Sequence, residues 1–474
     1  MNLDKDLAAR QEARLLCRQA ETAAQQLRRM PQSQLNTITQ AIAAAFSHAA
    51  EELAQLAVQE TGFGNVGDKT EKNRFASESV LQAIESLQCV GVLKESPAEK
   101  LWEIGVPVGP IGAIVPSTNP TSTVCYKALI ALKAGNPIVF SPHPKALQCT
   151  LAAAKIAAEA AEKAGAPAGS IGCLSMASMA GTQELMAAPE IKLLLATGGP
   201  GMVKAAYSSG KPAIGVGAGN GPAYIHPSAN MNQALDCILR SKCFDYGTVC
   251  ASEQSIIIQK EQEDALLQAA KAKNYYFMST SEAEKLGKCL FKPNGSLSPD
   301  VVGKPAGHLA QLAGFTVPNG TKILVAKADQ VGIRHPYSME KLCPVLALFV
   351  ESDEQAVMAK ALKILNHEGS GHTFSMHAED TDAIRRFALE MPVSRFLVNT
   401  PAALGGIGHS TGLFPALTLG CGAVGGSSSS NNISPMDLIN VRRVAWDLGK
   451  PSQIPTIDGD LVEILTAKIL ERLR

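Results

Sequence analysis

The chain carries no excess charge of either sign: 43 Lys and Arg balance 43 Asp and Glu over 474 residues. A balanced surface offers nucleic acid or an anionic membrane no electrostatic foothold, so neither is expected as the main partner. No run of about 18 apolar residues appears, which excludes a membrane-spanning helix. Met1 to Met30 is charged and helix-like, with no apolar stretch leading to a small-residue cleavage site, so no secretory signal is expected there. Also missing is any Cys-x-x-Cys pair. The eleven cysteines are scattered (Cys17, Cys89, Cys125, Cys149, Cys173, Cys237, Cys243, Cys250, Cys289, Cys343, Cys421) and odd in number. They read as reduced thiols of a cytoplasmic protein, most of them small buried hydrophobes, with no metal site. No internal repeat is found.

What is present is apolar material for sizeable cores: 46% hydrophobic against 18% charged residues, in a length that accommodates two or three domains. Residues 1 to about 90 carry apolar positions at three- and four-residue spacing and predict helices, until Gly62 and Gly64 interrupt the pattern. From 102 the rhythm changes. "IGAIVPS", "PIVFS", "IKLLLAT" and "PAIGVG" read as short buried strands, alternating with helices such as "PTSTVCYKALIALKAG". A second alternating set runs from about 228 to 400, with strands "SEQSIIIQ", "VLALFVES" and "RFLVNT". Such alternation predicts parallel, doubly wound α/β sheets covered on both faces, and two such units predict a ligand cleft between them. The expected division is 1–226, 227–415, 416–450 and a tail at 451–474. In that tail Val462, Leu465, Ile469 and Leu473 fall on one helical face after the linker "GKPSQIPTIDGD".

Two short stretches carry chemistry. "TGGPG", residues 197 to 201, follows a strand and opens a helix, so its glycines let a phosphate approach free N–H groups. It is not Gly-x-Gly-x-x-Gly, and a plain tight turn explains it equally well. "FDYGTVCASEQ", residues 244 to 254, puts Cys250 on a turn. A thiolate attacks carbonyls far better than a thiol, and oriented backbone N–H groups favour ionisation. A lone cysteine is nonetheless more often structural.

The same segment, with "VPSTNPTST", "VFSPHPKA", "LLLATGGPGMVKAAYSSGKPAIGVGAGN" and "LTLGCG", resembles the CoA-acylating aldehyde dehydrogenases over roughly residues 8 to 445. The resemblance implies an aldehyde-dehydrogenase-like α/β fold: two Rossmann-like domains, a cleft and a small oligomerisation element in a homo-oligomer, dimer or tetramer. It implies Cys250 as nucleophile and Asn119 as oxyanion-hole donor, although Asn119 alone reads equally as a helix cap. Gly198 and Gly199 take the place of the dinucleotide phosphate turn. Ser141, Pro142 and His143 fall where the adenosine ribose is met, and Glu340 where the nicotinamide ribose is held. The cofactor implied is NAD, with coenzyme A as co-substrate. His335 and His372 are possible helpers, with ordinary structural histidines as the plain alternative.

Hydrolytic members of the superfamily carry a water-activating glutamate where this chain has "GVGAGN", residues 215 to 220. A thiol ionises near neutral pH and needs less help than water, so the missing acid favours transfer to CoA. "SPHPKA" also lacks the acid that usually meets the ribose of NAD, which leaves NADP open. Tyr246 replaces a smaller polar residue and could narrow the aldehyde pocket. The expected reaction turns a short aldehyde, acetaldehyde before propionaldehyde, into acyl-CoA. The rivals are a dehydrogenase releasing a carboxylate, a succinate-semialdehyde specialist needing a basic pocket residue, and an inactive assembly protein. The tail resembles peptides that load enzymes into bacterial microcompartments through shell or cargo contacts at 459–474. Equally, it reads as a helix packed on the protein itself or at an oligomer interface.

Overall fold

The computed structural model describes residues 4–449 and 459–473. The amino-terminal helices form as their spacing requires. Lys5–Leu27 buries Ala9, Ala13, Cys17, Ala20, Ala23 and Leu27, one residue per turn, on a single face. It lies along the helix Met179–Ala187, while Gln32–His48 packs on the helices Pro120–Lys133 and Leu147–Lys163. The helix Ala50–Thr61 ends at Gly62, whose φ of 69° is the left-handed cap that glycine adopts without a Cβ penalty.

The first sheet has five parallel strands in the order Ile171–Cys173, Ile138–Ser141, Ile111–Ile114, Leu193–Thr197, Ala213–Val216. Strand order reverses between Ile111–Ile114 and Leu193–Thr197, which opens a crevice at their carboxyl ends. The second sheet has seven strands: Tyr275–Phe277, Ile323–Lys327, Val345–Glu351, Glu253–Gln259, Gly221–Ile225, Gly371–His377, Val393–Val398. Every neighbouring pair in it is parallel. Gly221–Ile225 already belongs to this sheet, so the change of sheet falls between Val216 and Gly221 rather than at 226.

The third sheet was not read from the sequence. Gly91–Ser96 and Leu101–Pro107 form an antiparallel hairpin, and Ile439–Ala445 returns to pair with Leu101–Pro107. These strands are half-exposed on both faces, so they lack the apolar runs that mark the buried sheets. All eleven cysteines are free, six of them buried. In the tail, Gly459–Arg472 is helical and every residue from 463 to 473 is exposed. The linker residues 450–458 lie outside the described residues.

Candidate active site

The segment before Cys250 is bent hard. After the helix Met231–Cys243, Phe244–Gly247 makes a short turn in which Asp245 (φ 48°) and Tyr246 (φ 50°) are left-handed. Left-handed non-glycine residues cost on the order of 1–3 kcal/mol and persist where the surroundings hold them. Asp245 is held by hydrogen bonds. Its Oδ1 accepts from the Asn65 N–H at 2.9 Å, and its Oδ2 from Lys69 Nζ at 2.8 Å and from Thr248 Oγ1 at 2.6 Å. Lys72 Nζ donates to the same Oδ2. Cys250 then sits on the turn that leads into Glu253–Gln259, half-buried. From behind, Gly219 presses on it: a Cβ at that position would lie 1.8 Å from the Cys250 carbonyl oxygen.

A cavity of about 430 Å³ opens over this turn. Cys250, Asn119, His143, Gly198, Gly199 and Glu340 all line it. Ser141 and Pro142 do not. Ser141 ends its strand with the hydroxyl turned into the fold, against Thr182 Oγ1 at 2.8 Å, and Pro142 is buried behind His143. Tyr246 is likewise outside the lining, and the apolar wall is built instead by Val249, Ile407, Leu417 and Leu419. His335 and His372 also lie outside it. His372 is fully buried, its Nδ1 is 2.9 Å from Thr373 Oγ1, and burial lowers its pKa to about 3, so it stays neutral.

Asn119 occupies the cap position of Pro120–Lys133, yet its side chain makes no capping bond. Its Nδ2 reaches Thr248 O at 3.3 Å and Thr118 Oγ1 at 3.2 Å, while its Oδ1 accepts from Lys72 Nζ. The cap explanation therefore fails, and the amide nitrogen is left on the cavity wall close to the Cys250 turn.

The thiol differs from expectation. Burial pushes Cys250 up to about 12, with Glu340 and Cys421 adding to the rise and Arg395 opposing it. The resting side chain is thus a thiol, and a positive charge or proton acceptor must assist its ionisation. Glu340 is the one carboxylate among the described lining residues. Its Oε1 accepts from the Gly219 N–H at 2.9 Å, and burial, then Glu368, raises it to about 7. The segment 215–220 contributes Val216, Gly217 and Ala218 to the lining and no acid.

The glycine turn leaves room for a phosphate. Leu193–Thr197 runs into Gly198 and Gly199, and Pro200 opens the helix Pro200–Tyr207 without a side-chain cap on its free N–H groups. A Cβ at Gly199 or at Gly217 would meet nothing within 4 Å. Thr197 Oγ1 is buried without a partner among the described residues, a hydroxyl left over for a ligand. These residues fit a phosphate-bearing cofactor. Sequence reasoning missed Lys69, Lys72, Asp245 and Thr248 because they meet only in three dimensions. It also missed Lys292, an exposed lysine on the cavity lining.

Comparison with known proteins finds relatives over most of the chain. The model of the aldehyde dehydrogenase family matches residues 4–283. The chain is 43% identical over 439 residues to the bifunctional aldehyde-alcohol dehydrogenase of Escherichia coli K12, covering 92% of this chain and 49% of that protein. It therefore spans about half the length of the curated relatives it matches first. A probable aldehyde dehydrogenase from Listeria monocytogenes superposes with a TM-score of 0.93 at 52% identity, covering 94% of this chain and 98% of that one. An acetylating aldehyde dehydrogenase from Geobacillus thermoglucosidasius gives 0.92 at 45% identity, again over 94% and 98%.

Proposed function

The chain belongs to the aldehyde dehydrogenase family, and on that premise we propose that it is a CoA-acylating aldehyde dehydrogenase: aldehyde, CoA and NAD⁺ give acyl-CoA, NADH and a proton. One observation carries this reading. Cys250 and Asn119 share a cavity with a glycine phosphate turn, and the segment where hydrolytic relatives place a base supplies no carboxylate.

In this reading the Cys250 S–H bond breaks and its proton passes to solvent, the one proton released in the overall reaction, while Sγ forms a C–S bond to the aldehyde carbon and the carbonyl electron pair moves to oxygen. The Nδ2 of Asn119 donates to that oxygen, a contact commonly worth about 3 kcal/mol of barrier. Gly198, Gly199 and Thr197 hold the cofactor phosphates, Glu340 and His143 the riboses, and bound NAD, or NADP, supplies a hydride acceptor and a positive charge. The oxidised product is a thioester on Cys250. The CoA sulfur attacks its acyl carbon, the bond to Sγ breaks, and Cys250 leaves as a thiolate that takes up the proton lost by the CoA thiol. Water competes poorly, because the one carboxylate among the described lining residues has its Oε1 bonded to the Gly219 N–H and the segment 215–220 supplies no acid to activate it. The apolar wall of Val249, Ile407, Leu417 and Leu419 suits acetaldehyde, then propionaldehyde.

The test is NADH absorbance with and without CoA, across aldehydes of two to four carbons and succinate semialdehyde. Activity strictly dependent on CoA supports the reading. NADH formed at full rate without CoA favours the carboxylate-releasing rival, and silence with every aldehyde favours an inactive assembly protein. Preference for succinate semialdehyde would assign Lys292 to its carboxylate.

Two surfaces complete the proposal. Trp102, Val441 and Trp446 are exposed around the three-stranded sheet, with the two indoles edge-to-face at 4.9 Å, and this supports a homo-oligomer. The exposed Ile464, Leu465, Ile469 and Leu470 of the tail helix support docking to a microcompartment shell or cargo protein. Deleting 451–474 would then abolish co-assembly with shell proteins while leaving turnover intact; unchanged loading defeats the idea.

A further inference from the structure

We propose that Lys72 is a positioning residue for the oxyanion site: anchored by Asp245, its ammonium holds Asn119 by Oδ1 and so presents Nδ2 to the oxygen that develops on the Cys250 adduct. This rests on the role given to Asn119 above.

Lys69 and Lys72 lie three residues apart on the helix Val66–Arg74, hence on one face. Both side chains are buried, at 3% and 2% exposure, and Asp245 is fully buried between them. Lys69 Nζ spans Asp245 Oδ2 and the carbonyl of Thr118, each at 2.8 Å. Lys72 Nζ donates to Asp245 Oδ2, to Asn119 Oδ1 and, at 3.2 Å, to Thr248 Oγ1. The two lysines thus tie the loop bearing Asn119 to the loop bearing Cys250.

An ammonium can only donate, so it fixes which end of the Asn119 amide faces it: the oxygen must. The nitrogen is then turned away, and its two N–H groups rest on Thr248 O at 3.3 Å and Thr118 Oγ1 at 3.2 Å, at and just beyond the long end of the usual range of about 2.7–3.2 Å. Neutral acceptors at that length exchange for a charged oxygen, which binds a donor more strongly. Polarisation by the ammonium also strengthens the N–H as a donor.

Asp68 and Asp245 balance the two lysines in charge, so charge pairing accounts for a buried Lys72 but not for the direction of its ammonium, which bonds Asp245 and Asn119 and forms no ion pair with Asp68 among the described residues. Burial lowers Lys72 to about 8, a penalty that Asp245 offsets only in part. What the second ammonium adds is a contact with Asn119 in the wall of the cavity.

The experiment is a double-mutant cycle read by single-turnover acylation, with acetaldehyde and NAD⁺ present and CoA withheld. Asn119→Ala is expected to slow acylation about 100- to 1000-fold. Lys72→Met is expected to slow it about 10- to 100-fold, and the double variant to be within about threefold of Asn119→Ala alone. Lys72→Gln keeps an N–H donor at that position and should recover part of the loss. Losses that multiply in the double variant, or a Lys72→Met enzyme as fast as the parent, overturn the proposal for Lys72 while leaving Asn119 in place. A harmless Asn119→Ala instead removes the oxyanion reading on which it stands. If Lys72→Met shows no cooperative melt, the pH dependence of the parent decides. The ratio of parent to Asn119→Ala rates must fall above about pH 8, as Lys72 loses its proton among Lys69, Asp68 and Asp245. Cys250 titrates in both proteins and cancels, so a flat ratio refutes the coupling.

Discussion

Gly199 lines the cavity and Gly219 lies just behind it, against the backbone of Cys250, yet they are glycine for opposite reasons. Around Gly199 an added Cβ would meet nothing within 4 Å, whereas at Gly219 it would come within 1.8 Å of a carbonyl oxygen. The first glycine keeps room for something that arrives. The second lets two segments of the chain touch, and its N–H then engages Glu340. A glycine in a site is thus evidence of a ligand only when the space in front of it is open.

Substitutions test this contrast in order of expected size. Cys250→Ala removes the nucleophile on the crowded side. Turnover should fall by at least about 10⁴-fold with the melting temperature unchanged, and no acyl adduct should appear by mass spectrometry. A melt shifted by many degrees would show that the sulfur also holds the turn.

Gly219→Ala comes next. Its Cβ must push the Cys250 backbone aside, and a displacement of that kind can cost about 100-fold in kcat. Stability should drop by roughly 1–3 kcal/mol in a denaturant titration, while KM for the dinucleotide stays near its parental value. Gly199→Ala should do the reverse: an unchanged melt and kcat, with KM for the dinucleotide raised about tenfold. A Gly199→Ala protein that melts early would erase the distinction.

The smallest effect concerns the base of the open turn. Lys127 is fully buried and among the described residues bonds only to the carbonyls of Ile114 and Leu195, each at 2.9 Å, where strand order reverses. Burial lowers its pKa to about 7. The unfolded chain, with lysine near its ordinary value of about 10.4, binds the extra proton between these limits. Stability therefore rises with pH from about 7 to about 10. Lys127→Met should flatten that rise in melts run at pH 7 and pH 9.5. An identical slope in parent and variant would mean that Lys127 stays charged in the fold.

Much of this was legible in the residues. The parallel sheets announce themselves as short apolar runs between helices, and the strands Ile111–Ile114 and Ala213–Val216 are buried at every position. Cys250 and Asn119 were brought forward by the family resemblance of the segments around them, since each alone also has a plain structural reading, and both line the cavity. The hairpin at 91–107 stayed hidden because its partner strand, Ile439–Ala445, is distant in sequence and its residues are half-exposed. Cys250 was expected to ionise easily, but the thiol is raised by the burial that shapes its pocket, a property no local pattern encodes. Asp245 read as an ordinary turn residue. Its role depends on two lysines some 175 positions earlier, at separations of 176 and 173.

The contact between Gly219 and Cys250 also bears on how such an enzyme could change its output. Position 219 is closed to every larger residue, so an acid cannot be introduced there by simple replacement. Gly217, two residues earlier and facing open space, has no such barrier. Under the proposed reaction, a designed switch from exporting activated acyl groups to discarding them as free acids would have to place its acid elsewhere in this segment than position 219, because the backbone behind the nucleophile closes that position and leaves 217 open.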